Sequence, residues 1–170
     1  RSMPMSLWIK PKIQFDNMGL EKDIKQQHFT SENQKLIINL VFTNNWLTEK
    51  IRDFLSPEDI TLQQFNILRI LRGSHPQPLS TLTIRERMLD KMSDTSRIVD
   101  RLVLKGLADK KTCPSDKRLV DISITEEGKK ILAKIDPNEK EMKAIIANLN
   151  QEEMKILNGL LDKMRGSSAL

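Results

Sequence analysis

Tyrosine is absent from this chain, cysteine occurs once and histidine twice. Each shortage removes a class of protein. A single cysteine, Cys113, rules out an internal disulfide and any cysteine-rich zinc site. Two histidines, His28 and His75, far apart in sequence, leave no Ser/His/Asp arrangement and no metal-spaced His/Cys/Glu set. A glycine-rich phosphate loop is also missing. No metal, no cofactor and no enzymatic activity are expected. Aromatics are limited to five Phe and two Trp, which suits Leu/Ile/Met-packed helices better than a β-sandwich. No apolar run approaches the roughly 20 residues a membrane span needs. The segment Ser2–Lys10 is broken by Pro4 and is too short for a signal-peptide core. A cytoplasmic protein with no membrane partner is the expectation.

What the chain does have is charge and helical periodicity. At 170 residues, with 38% hydrophobic and 30% charged, it falls among globular proteins able to build one core with helical extensions. The net charge of +5 is concentrated. Between Arg85 and Arg118, ten basic residues stand against six acids, which accounts for +4 of it. A local basic excess neutralises phosphates and releases counterions. A solvated helix face can carry similar charge.

Residues 1–30 contain Pro4, Pro11 and Gly19, lack a period and read as an extension. Ser31 with Gln34 is a capping box, and apolar residues at helical spacing from Leu36 to Leu55 predict a long helix that Ser56-Pro57 ends. That helix is apolar enough to need a partner. Thr61 and Gln64 cap a helix through Phe65, Leu68 and Leu71, stopped by the loop Gly73–Pro78. Ser80 caps the next, with Leu82, Ile84, Met88 and Leu89 expected to face inward. The short turn Asp90-Lys91-Met92 leads to Ser93, the expected N-cap of a further helix. Ile98, Leu102 and Val103 share one face of it, and Gly106 ends it.

From Leu107 the period shifts toward two. Ala108–Thr112 and Val120–Ile124 predict an antiparallel hairpin with Val120, Ile122 and Ile124 on one face. Thr125 caps a helix through Ile131, Leu132 and Ile135, which Asp136-Pro137 interrupts. Met142, Ile145, Ile146 and Leu149 continue the stripe. Asn150 with Glu153 then starts a last helix carrying Met154, Ile156, Leu157, Leu160, Leu161 and Met164. Helix, turn, helix and basic hairpin over Leu79–Thr125 suit a reader of duplex DNA. A helix fits the major groove, and a hairpin arginine reaches the adjacent minor groove.

The run Arg87-Met88-Leu89-Asp90-Lys91-Met92-Ser93-Asp94-Thr95-Ser96-Arg97-Ile98-Val99-Asp100-Arg101-Leu102, followed by Lys105-Gly106-Leu107, resembles the MarR family of bacterial transcriptional regulators. Asp116-x-Arg118 and Val120-Asp121-Ile122-Ser123-Ile124-Thr125-Glu126-Glu127-Gly128 are similar to that family's wing and exit. The resemblance implies a mainly α fold with a small β-hairpin wing, a winged helix-turn-helix with N- and C-terminal dimerisation helices. In these terms residues 1–30 are an N-terminal extension, 31–55 and 126–166 the dimerisation helices, and 56–125 the DNA-binding domain. It implies a triangular homodimer whose two lobes straddle a pseudo-palindromic site. The family's recognition-helix positions fall on Ser93, Asp94, Thr95, Ser96, Arg97 and Arg101, its wing-tip arginine on Arg118, and the acid that steadies the wing on Asp116. The turn before Asp94 is one residue longer than the family's common form, and Thr95 stands where many members carry an apolar residue.

Each of these residues has a plainer reading beside the DNA-binding one. Arg118 would enter a narrow minor groove, or form a surface pair with Asp116 worth little. Lys110, Lys111 and Lys117 suit phosphates, giving affinity without sequence information. Arg97 and Arg101 could reach guanine edges or phosphates, or lie along a helix surface with Asp94 and Asp100 as partners. Ser93, Thr95 and Ser96 can exchange hydrogen bonds with base edges, while Ser93 also fits a pure cap. Asp94 is welcome at a helix N-terminus and awkward against phosphate. Cys113 lies among lysines but has no second cysteine to resolve it, which argues against an oxidant sensor. Trp8 and Trp46 read as packing residues.

The expected function is a DNA-binding transcriptional regulator, a repressor, acting as a homodimer on a pseudo-palindromic operator. Its partners would be double-stranded DNA and a second copy of itself. The resemblance adds a small aromatic ligand held between dimer helices and winged lobe, which would release the DNA. The alternative is a helical protein–protein interaction module on a winged-helix scaffold.

Overall fold

The computed structural model describes residues 19–26, 28–112, 120–136 and 139–166. It divides into two units, Arg1–Asn45 and Trp46–Leu170, and the long helix α2, Glu32–Leu55, runs from one into the other. In the first unit a single helical turn, α1 (Leu20–Asp23), lies within the span read as an extension. Ahead of α2, Ser31 Oγ accepts the Gln34 N–H at 3.2 Å. The return half of the expected capping box goes one residue upstream, where Gln34 Oε1 accepts the Thr30 N–H at 2.8 Å. Ser56-Pro57 turns the chain out of α2 through a short 3-10 segment, Ser56–Glu58.

The second unit holds the core. Helix α3 (Leu62–Ser74) starts on a complete capping box between Thr61 and Gln64. Helix α4 (Thr81–Arg87) is capped by Ser80, and α5 (Thr95–Leu104) follows a turn. Strands β1 (Ala108–Thr112) and β2 (Val120–Ile124) pair antiparallel, with Ala108 opposite Ile124 and Thr112 opposite Val120. Thr125 caps α6 (Glu126–Ile135), and α7 (Glu139–Ile145) and α8 (Gln151–Met164) follow, α8 on an Asn150–Glu153 capping box. Leu79 adds a bridge on the free edge of β2, exchanging both backbone hydrogen bonds with Ile122 at 2.9 Å. The sequence offers no alternation around Leu79 that would announce this third strand position.

Leu55, Ile67, Leu68, Ile84, Met88, Leu102, Ile122 and Leu132 are buried together as the centre of the winged lobe. Helix α6 contributes Leu132 and Ile135 to that core, and Asp136 at its end accepts from the two terminal guanidinium nitrogens of Arg72 on α3, at 2.5 and 3.3 Å. Leu82 and Leu89 depart from expectation. Both are exposed, because α4 is short and turns one narrow stripe, Ile84 and Met88, into the core. Two residues correspond to roughly 200° of helix, so Leu82 lies across the axis from Ile84. Among the described residues no helix is long and apolar enough to cross a membrane.

Candidate nucleic-acid interface

The turn between α4 and α5 is held from two sides. Asn66 on α3 accepts the Leu89 N–H at 2.9 Å through Oδ1. Asp90 accepts the Met92 N–H at 3.0 Å and the Ser93 hydroxyl at 2.5 Å. The Ser93 hydroxyl, and after it the Met92 N–H, hold the Asp90 carboxyl below the ordinary carboxylate range. Asn66 and Asp90 were not legible as site residues, since each acts through a neighbour that only the fold brings close.

This arrangement corrects the expected start of α5. Ser93 is not the N-cap: the helix starts one residue later, and Asp94 accepts the Arg97 N–H at 3.1 Å. A carboxylate in that place also suits the positive end of the helix dipole. Asp94→Ala is therefore expected to destabilise the protein by about 1 kcal/mol, read as a lowered urea midpoint. An unchanged midpoint would show that the cap contributes nothing.

Along α5 the faces separate cleanly. Thr95, Val99 and Leu102 are buried, while Ser96, Arg97, Asp100 and Arg101 are exposed. Thr95 is the second correction. Only 4% of it is exposed, and its hydroxyl donates to Met88 Sδ at 3.2 Å, so it packs inward and cannot reach a base edge.

Neither expected intrahelical partner pairs with an arginine of α5. Asp94 caps the helix, and Asp100 takes Lys110 from β1, Nζ to Oδ1 at 2.7 Å. Among the described residues Arg97 and Arg101 make no ion pair. Both line a depression of about 220 Å³ with Gln63 and Gln64 of α3, and Arg101 also borders a larger cleft. Lys111 is exposed on β1 beyond Lys110. Asp116, Lys117, Arg118 and Cys113 lie outside the described residues, between the paired ends Thr112 and Val120.

The larger cleft, about 690 Å³, runs between the end of α2, the start of α3 and the end of α5. Arg52, Arg101 and Lys105 line it beside Ile60, Leu62 and Leu104, and Lys105 is tied to Asp59 Oδ2 at 2.8 Å.

A Schellman ending joins α5 to the hairpin. Gly106, at φ +70, lets the Gly106 N–H reach the Val103 carbonyl and the Leu107 N–H reach the Leu102 carbonyl, each at 2.9 Å. Thr125 closes the far end. Its hydroxyl donates to the Gly106 carbonyl at 2.7 Å, and its N–H donates to the Leu107 carbonyl at 3.2 Å. A helix-turn-helix whose second helix leads directly into an antiparallel hairpin, with a further strand position on the hairpin's free edge, is a winged helix-turn-helix.

Residues 60–120 match the sequence model of the MarR family. Over 116 residues, 67% of this chain and 79% of the relative, the chain is 28% identical to the multiple antibiotic resistance protein MarR of Salmonella typhimurium. It is 26% identical over 136 residues to the HTH-type transcriptional regulator MhqR of Bacillus subtilis, covering 79% of this chain and 92% of that one. A mutant MarR from E. coli, solved in complex with operator DNA, superposes with a TM-score of 0.65 at 25% identity, over 86% of this chain and 99% of its own. Residues 60–120 thus carry a MarR-family domain, and the chain is similar over most of its length to transcriptional regulators of that family.

Proposed function

We propose that this regulator is a repressor that binds a pseudo-palindromic operator as a homodimer and lets it go when a small ligand occupies the cleft. The observation that carries the DNA reading is α5: one face is locked in the core, and the other offers Ser96, Arg97 and Arg101 without an intramolecular ion pair among the described residues. The family member complexed with operator DNA supports the same reading. In this scheme Ser96 and Arg97 meet base edges, Arg101 meets a base or phosphate, and Lys110, Lys111 and Lys117 meet phosphates. Arg118 enters the minor groove, steadied by Asp116. Ser93, bound to Asp90, serves the turn first.

Dimerisation is assigned to residues 31–55 and 126–166. Within the second span α6 is committed to the lobe core, which leaves α7 and α8 for the partner. Residues 56–125 form the DNA-binding domain and 1–30 an extension. An aromatic ligand fits the 690 Å³ cleft through its apolar lining, with Arg52, Arg101 and Lys105 for a polar group. Binding there would shift the separation of the two lobes, so that their α5 helices no longer meet major grooves about 34 Å apart.

Salt separates this reading from a protein-binding module. Fragments of genomic DNA selected by the chain should lose affinity steeply as salt rises, log against log, with a slope of about −0.9 per phosphate contacted. A partner interaction insensitive to salt would favour the protein-binding alternative. Arg118→Ala should weaken operator binding at least about tenfold while leaving the dimer intact in sedimentation. Unchanged affinity in a gel-shift titration would remove Arg118 from the interface.

A further inference from the structure

Met92 is 94% exposed, more than any other large apolar side chain among the described residues, and Leu82 is 64% exposed. Both line one depression of about 450 Å³, between the start of α4 and the start of α5, with Arg85, Ser93, Asp94 and Ser96 around them. They are not overflow from the core, because Ile84 and Met88 already form the buried stripe of this motif. Nor do they lie on α2 or α8, the helices assigned to the partner chain. They stand beside Ser96, on the side of the molecule proposed to meet the operator.

Three features of the depression select its occupant. Leu82 and Met92 give it an apolar wall among polar neighbours. Asp94 holds negative charge within it, which makes it a poor seat for phosphate. Arg85 at the rim suits a neighbouring polyanion. In a duplex the major groove presents one apolar group, the C5 methyl of thymine. A methionine is unbranched and soft enough to follow such a methyl without strain.

We propose that Met92, backed by Leu82, reads the C5 methyl of a thymine in each half-site and is a specificity-determining residue of this protein. The inference rests on the DNA-binding reading above. It adds a base preference, a T·A pair at the outer end of the α5 contact.

The test uses the full chain and a DNA fragment selected by its own binding. Each thymine is replaced in turn by deoxyuridine, which removes the methyl and keeps every hydrogen-bonding group. One symmetric pair of positions should weaken wild-type binding about fourfold per methyl removed. Met92→Ala should bind the thymine fragment with a comparable loss and should no longer distinguish thymine from uracil there. Its thermal unfolding should match wild type, since the side chain stands in solvent.

Wild-type binding indifferent to every methyl overturns the proposal while leaving DNA recognition in place. So does a Met92→Ala protein that still discriminates thymine from uracil. Failure to select any fragment overturns the DNA reading, and this inference with it.

Discussion

Replacing Gly128 by alanine is expected to destabilise the winged lobe by about 3 kcal/mol, enough to lower its urea midpoint sharply and to reduce operator binding through unfolding. Gly128 sits in the first turn of α6, where its N–H is accepted by Thr125 Oγ at 3.1 Å. A Cβ at this position would stand 2.3 Å from the Leu107 carbonyl oxygen and 2.8 Å from Ile124 Cγ1. The oxygen is backbone and already accepts the Thr125 N–H, so it cannot swing aside as a side chain would. Relief requires moving α6 away from the base of the hairpin, and that separates packed core residues. Gly106→Ala provides the contrast. Nothing lies within 4 Å of its added Cβ, so only the strain of φ +70 remains, about 1 kcal/mol. Equal midpoints for Gly128→Ala and wild type would show that α6 is not seated against Leu107 as described.

Removing everything after Asn150 should abolish the dimer and lower operator affinity on the order of a hundredfold. Helix α8 leaves Ile156, Leu157, Leu160 and Met164 between 43% and 58% exposed, at spacings of three and four that place them on one face. Such a stripe in water is a cost the chain recovers by covering it. Without it, two winged lobes are no longer joined, and each half-site must be captured separately. Sedimentation should report monomers or insoluble protein, and gel shifts should lose the cooperative complex. Because truncation can cause insolubility by itself, Leu160→Glu in the complete chain gives the same comparison with less disturbance. A truncated or Leu160→Glu protein that still sediments as a stable dimer places the interface elsewhere.

The features legible in the sequence are those decided within a few residues. The caps at Thr61, Ser80, Thr125 and Asn150 depend on a side chain reaching three positions ahead, and all four form. The hairpin was readable because alternation over Val120–Ile124 fixes which face is buried, and its register follows. Errors arose where a distant element, or a nearer competitor, takes over. Ser93 loses the cap because Asp94, one residue on, presents its carboxylate to the Arg97 N–H. Thr95 turns inward because Met88 offers its hydroxyl a partner within the core. Leu82 points outward because α4 contacts the core along too narrow a line for a third residue. Leu79 pairs with Ile122, forty-odd positions away, and no local pattern encodes that. The candidate interface was therefore legible as a helix and a hairpin, and less so residue by residue.

The junction at Gly106, Leu107 and Thr125 bears on how any signal travels. The end of α5, the root of the hairpin and the first turn of α6 share the same two carbonyls and one hydroxyl, and Gly128 lets them touch without an intervening side chain. A joint built this way favours a crank over a hinge. Torque applied along α6 is handed to α5 and the wing together, as one rotation of a solid part. Regulation that bends α5 or slides the wing by itself would first have to break this joint. In the proposed scheme, control of the operator lies in the angle at which the whole lobe is carried.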